Sequence, residues 1–163
     1  MDRAICLGDI VTEEVRRLLG NRNFISGALA VGSTTTKVNL ASAVDYSIDG
    51  QLYHKAITAD TFAHTNLGVQ SADSTKYYLL SLDSAGTGLI TPGNEVLTVN
   101  IGVGGGVVQP YLPKLASTQT PIGVIKVVTV AVTFAPGVDA HTKAGVTTTY
   151  FNLSCVPTSG LPV

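Results

Sequence analysis

From Phe24 onward the apolar residues recur at every second position, in short runs broken by Gly, Pro or Asx turns. That period belongs to strands, whose side chains alternate between two faces. The clearest pair is Tyr46-Ser47-Ile48 and Leu52-Tyr53-His54-Lys55-Ala56-Ile57, on either side of Asp49-Gly50. Asp-Gly between two such runs predicts a hairpin, because both central residues of a type I′ turn need positive φ. Ala28-Leu29-Ala30-Val31 and Lys37 to Leu40 read as short strands, and Lys76 to Leu82 as a longer one closed by Asp83-Ser84-Ala85-Gly86. Pro92-Gly93-Asn94 reads as a turn before a strand from Glu95 to Val103.

Ile122 to Phe134 is the longest β run, and its even positions, Val, Lys, Val, Val, Val and Phe, form the greasier face. Pro136-Gly137 turns the chain into a last strand, Val146 to Val156. Tyr77-Tyr78 and Tyr150-Phe151 should each put one ring inside, since neighbours on a strand face opposite ways. Roughly eight to ten strands with no helical crossover make a mainly β chain, an antiparallel β-sandwich or small β-barrel. No fixed period marks a solenoid or propeller.

Residues 1–23 have a different texture. They hold all four arginines, Arg3, Arg16, Arg17 and Arg22, and the adjacent pair Glu13 and Glu14. Val11, Val15, Leu18 and Leu19 share one stripe of a helix, with Thr12 as N-cap and Gly20-Asn21 as stop. The glutamates sit in the first turn and Arg16 and Arg17 in the last, as the helix dipole prefers. The expected organisation is therefore an N-terminal arm with a short helix, 1–23, and a β domain, 24–163. Asp2, Asp9, Glu13 and Glu14 neutralise the arginines, so the arm does not read as a nucleic-acid tail. It reads as a contact element whose guanidinium groups pair with carboxylates on a partner.

Only 13% of the residues are charged, about half the usual ~25% share. Valine and threonine, 20 of each, are the commonest types, and they suit pleated, half-covered surfaces. A surface this weakly charged is expected to lie against copies of itself or a larger assembly. Net charge is −1, so nothing global attracts nucleic acid or an anionic membrane. The longest apolar stretch, Val124 to Phe134, falls short of the roughly 20 residues a spanning helix needs. The opening Met1-Asp2-Arg3-Ala4-Ile5-Cys6 lacks a secretory pattern. Cys6 and Cys155 read as two free thiols rather than a disulfide framework, and the sequon at Asn152 carries little weight without secretion.

No reactive constellation stands out. His54, His64 and His141 are far apart in sequence and from either cysteine, so no metal signature is met. Gly102-Val103-Gly104-Gly105-Gly106 follows a strand, but Pro110 and Pro113 forbid the helix that a phosphate cradle requires. No serine sits in a nucleophile elbow. The acids are scattered singly, apart from Glu13-Glu14. No catalytic residue, metal or cofactor is expected.

The stretch from Gly27 to His64 carries a resemblance. Gly27-Ala28-Leu29-Ala30-Val31-Gly32-Ser33-Thr34, followed by Tyr46-Ser47-Ile48-Asp49-Gly50-Gln51-Leu52-Tyr53-His54-Lys55-Ala56, resembles a segment of tailed-bacteriophage capsid decoration proteins, also called cement or head-fibre proteins. It covers about a quarter of the chain. The resemblance implies a small β-barrel or sandwich, a homotrimer, seated on the outer capsid surface of a virion assembled in the host cytoplasm. Its partner would be the major capsid protein, and its working residues would be contact surfaces. The arm residues Arg3, Glu13, Glu14, Arg16, Arg17 and Arg22 are then the candidate capsid grip. The competing readings are a tail or fibre domain that binds a host receptor, a self-assembling shell subunit, and a glycoside hydrolase with dispersed carboxylates.

Overall fold

A computed structural model describes residues 20–64, 67–101 and 109–154. The expected helix of residues 12–19, the glycine loop at 102–106, and Cys6 and Cys155 lie outside the described residues. The described chain is mainly β, as its period requires, and forms an antiparallel sandwich. Its strands are β1 (Arg22–Asn23), β2 (Leu29–Val31), β3 (Val38–Leu40), β4 (Val44–Ile48), β5 (Gln51–Lys55), β6 (Thr58–Phe62), β7 (Ser74–Asp83), β8 (Gly88–Leu97), β9 (Gln119–Thr129) and β10 (Val146–Asn152). One layer is a four-stranded sheet in the order β10-β9-β7-β8. The other is built from two three-stranded sheets, β1-β4-β5 and β2-β3-β6.

The core fills the space between the layers. Tyr78, Leu80 and Leu82 of β7 and Ile122, Ile125 and Val127 of β9 meet Val38 and Leu40 of β3, Val44 and Tyr46 of β4, and Phe62 of β6. Tyr46, Phe62, Tyr78 and Phe134 are almost wholly buried. Each large apolar side chain removed from water contributes roughly 1.5–3 kcal/mol. Tyr46 and Tyr78 need partners for their hydroxyls: Tyr46 donates to the Asp83 carbonyl at 2.8 Å, and Tyr78 to Gln70 Oε1 at 3.3 Å. Gln70, also buried, donates to the Ser74 and Val127 carbonyls.

The hairpin forms as its turn residues predict. Asp49 and Gly50 both have positive φ, 49° and 76°, and β4 pairs with β5 from Val44↔Lys55 to Ile48↔Gln51. Tyr78 and Tyr150 turn inward, and Phe151 is exposed.

Four expectations are corrected. Pro92-Gly93-Asn94 is not a turn. It lies inside β8, where Lys76↔Glu95 and Tyr78↔Pro92 bracket one extra residue, a β-bulge. An edge strand tolerates the proline, and Gly93 has no Cβ to strike the Tyr111 and Tyr77 carbonyls that crowd it. The strand ends at Leu97 in a 3-10 turn, Thr98–Asn100. In β9 the inward residues toward its end are the odd ones, Ile125, Val127 and Thr129, while Val130 is exposed. Thr129 goes in because its hydroxyl bonds the Ser71 and Ser74 carbonyls. A bulge in β9, where Gly123 and Pro121 pair with the adjacent Leu80 and Ser81 and leave Ile122 as the extra residue, then brings Ile122 to the same face. The strands of the longest run and the last run stop at Thr129 and Asn152, sooner than alternation alone suggests. The end of the arm is also part of the β domain, since Arg22 pairs with Ser47 and Asn23 with Tyr46.

One end of the core holds two imidazoles. His64 and His141 have ring centroids 4.8 Å apart, and both are buried. Burial holds His64 down to about 4. Burial, then the neighbouring His64, does the same for His141, also to about 4. An unfolded histidine titrates near ~6.5. Folded values below unfolded ones mean that the unfolded chain takes up protons first as pH falls. The stability contributed by the neutral rings is whole above about pH 6.5 and is lost as pH drops toward about 4. The expected loss is up to roughly 3 kcal/mol per ring. Thermal melts of the full chain at steps from pH 7 to 4 check this, and a melting temperature flat across that window contradicts it.

Candidate functional site

The first sheet is where the N-terminal segment joins the sandwich, and short polar side chains build the joint. Asn21 Nδ2 donates to the carbonyls of Ser117, at 2.5 Å, and Gln119, at 2.9 Å, and its Oδ1 accepts the Asp49 amide at 2.9 Å. One asparagine thus ties the β4–β5 turn to the start of β9. Asn23 is buried and donates to the Leu153 carbonyl at 2.5 Å, just beyond β10. Ser47 Oγ donates to the Gly20 carbonyl. Arg22, between the two asparagines, is exposed. Of the six candidate grip residues it alone is described; Arg3, Glu13, Glu14, Arg16 and Arg17 lie outside the described residues.

Among the described residues, three hollows adjoin this sheet. The largest, about 940 Å³, is lined by Asn21, Ile48, Asp49, Gln51, Tyr53 and Thr118 among others, a polar wall around one ring. A second, about 430 Å³, is lined by Phe24, Ile25, Asp45, Leu52, Tyr53 and His54. Arg22 lines a third, of about 180 Å³, with Asn21, Asn23, Pro121, Leu153 and Ser154. Tyr53 stands between the first two and stacks on Tyr46 at 5.5 Å. Strand alternation explains the chemistry of the second hollow. With Tyr53 turned toward Tyr46, Leu52 and His54 must face outward. Leu52 is 64% exposed and Ile25 48%. His54 Nδ1 lies 2.7 Å from Asp45 Oδ1, an exposed pair at the rim of the apolar patch.

Five of the described acids, Asp60, Asp73, Asp83, Glu95 and Asp139, are engaged in holding loops. Asp73 accepts the Ala131 amide, Asp83 the amides of Ala85 and Thr87, and Glu95 the Ser71 amide. Desolvation pushes the Asp60 carboxyl up, but the Thr34 amide, the Thr34 and Ser33 hydroxyls and Lys37 outweigh it and leave it below the usual range. The Ala135 amide, then Lys143, lowers Asp139. A hydrolase with paired acids asks for a carboxyl raised by burial or by its twin, and these two move the other way.

Of the three histidines, His54 belongs to the surface pair, whereas His64 and His141 meet in the interior. Sequence spacing gave no sign of that meeting, because the loop after β6 and the loop between β9 and β10 come together only in three dimensions. Among the described residues no group of three or more His, Cys, Asp or Glu forms a metal cluster. No known protein family, curated protein or solved structure matches this chain.

The asparagine staples give a direct expectation. Asn23→Ala removes a buried donor and leaves the Leu153 carbonyl without it, which costs about 1–3 kcal/mol. Asn21→Ala, less buried, costs about 1–2 kcal/mol. Urea unfolding measures both, and two variants as stable as the parent chain contradict the staple role.

Proposed function

We propose that this chain is a non-enzymatic structural protein of a tailed-bacteriophage virion. It binds the outside of the capsid as a homotrimer and stabilises it by contact. The observation that carries the reading is the apolar patch of the first sheet, Ile25 and Leu52 beside Phe24, at the point where the N-terminal segment enters. A chain with so few charges that also leaves Leu52 and, past the other end of β5, Ile57 about two-thirds exposed gains from covering them. The rim pair His54–Asp45 and the exposed Arg22 give the patch the apolar-centre, polar-rim layout of protein interfaces. The acids that hold loops support a contact role over hydrolysis. The trimer and the capsid partner rest on the resemblance of residues 27–64.

A second reading has an observation of its own. The 940 Å³ hollow sets the Tyr53 ring among Asn21, Asp49, Gln51, Ser117 and Thr118. A ring with hydroxyls, amides and a carboxylate around it is a lining that sugars fit, as a tail or fibre domain that binds a host receptor requires. Binding to glycans or host cells by the isolated protein, with no binding to capsids, favours that reading.

Co-sedimentation with capsids that lack the protein tests the leading one. Residues 1–19 are the segment to delete, since Gly20, Asn21 and Asn23 belong to the fold. The truncated chain should keep its melting temperature and lose capsid binding. Leu52→Asp should leave the fold intact, because the side chain is exposed, and lower capsid retention about tenfold, on the order of 1.4 kcal/mol. Undiminished binding by both variants overturns the proposal.

A further inference from the structure

We propose that His64 and His141 form a buried site for a divalent late transition-metal ion of the copper(II) or nickel(II) type, with Tyr150 as a third, oxygen donor. His64 Nδ1 lies 3.1 Å from the Thr36 carbonyl, which can only accept, so the proton is on Nδ1 and Nε2 carries a bare lone pair. A backbone carbonyl holding the far nitrogen is the usual orienting contact of a metal-binding histidine. His141 is held through its main chain instead. Its amide donates to the Thr35 carbonyl at 2.9 Å, and the Thr148 hydroxyl donates to the His141 carbonyl and lies 3.5 Å from Nδ1.

Three atoms at this end of the core are sealed from water and have no hydrogen-bond partner: Nε2 of His64, Nε2 of His141 and the Tyr150 hydroxyl. His64 and His141 are only 6% and 3% exposed. Orphaned polar atoms that deep are costly, and three of them together point to an unseen occupant. Phe134, Tyr78 and Tyr150 wall the rings, with centroids 5.6–6.2 Å from one imidazole or the other. Among the described residues no carboxylate touches either imidazole; the charged groups in this wall act on Tyr78, Lys76 Nζ lying 5.5 Å from its ring centroid and Glu95 acting on its hydroxyl.

The ring spacing fits one ion. A nitrogen bound at about 2.0–2.1 Å sets its ring centroid about 3.2 Å from the metal. Two such rings 4.8 Å apart then subtend roughly a right angle at the ion. Right-angled nitrogen and oxygen donors suit tetragonal copper(II) or nickel(II) better than tetrahedral zinc. Both imidazoles are neutral near pH 7, as ligation requires. The main rival occupant is one water, which two lone pairs and a hydroxyl would also satisfy.

The test uses the full chain, stripped with chelator and then either refolded or incubated folded with copper(II). After gel filtration, we expect one ion per chain, an electron paramagnetic resonance spectrum with coupling to two imidazole nitrogens, and a melting temperature higher by about 5 °C. His64→Gln and His141→Gln should each lower uptake at least tenfold, while His54→Ala, at the surface, keeps it. Should the glutamine variants fail to fold, the two-nitrogen spectrum of the unmutated chain decides. No stoichiometric uptake by either route, uptake that survives both glutamine variants, a spectrum without two nitrogens, or a bridging water at saturating copper overturns the site.

Discussion

The structure depends on closing seams between sheets that share no main-chain ladder. Two small sheets lie over one larger sheet, and hydrogen-bonded pairing stops at each border. Apolar burial draws the layers together but does not fix their register. Short polar side chains do that. Asn21 and Asn23 reach the Gln119 and Leu153 carbonyls, Asn152 Oδ1 accepts the Leu29 amide at 2.8 Å, and Thr120 donates to the Ser47 carbonyl at 2.5 Å. A typical hydrogen bond contributes about 1 kcal/mol net, but a buried carbonyl left without its donor costs more. The seams therefore favour Asn and Thr, side chains short enough to hold one geometry. Part of the threonine content that first looked like a surface property belongs to the interior: Thr120, at a seam, and Thr129, between β9 and the start of β7, are wholly buried.

Local chemistry made much of the fold legible. Asp49-Gly50 announced its hairpin because few residue pairs tolerate two positive φ values, and β7 showed itself as an apolar run closed by Asp83-Ser84-Ala85-Gly86. What alternation could not supply was anything decided across the sheet. The bulge at Gly93 depends on the Tyr111 backbone lying over it, many residues away. The face of β9 is set by the carbonyls waiting for Thr129, which outweigh the row of valines on the other side. The boundary of the arm moved for the same reason, since Asn21 and Asn23 look like turn residues until their distant acceptors are known.

The candidate site divides along the same line. The arginine-rich composition of residues 1–23 was legible, and of those arginines Arg22 alone falls among the described residues, on β1. The apolar patch of Ile25 and Leu52 was not, because an outward leucine on an alternating strand looks the same as an inward one until Tyr53 finds Tyr46. The two interior histidines come from loops that only the closed sandwich brings together. Both features follow from the seams: the first sheet, pinned at Asn21 and Asn23, leaves Leu52 exposed on its outer face, and the turn between β2 and β3 supplies the Thr35 carbonyl that accepts the His141 amide and the Thr36 carbonyl that faces His64 Nδ1.

We propose that this sandwich works by touching neighbours. Multi-angle light scattering on the purified full chain, over a wide range of concentrations, tests it most directly. A mass three times that of the 16.9 kDa chain, stable on dilution, is the predicted result. A chain that stays monomeric at every concentration contradicts the account.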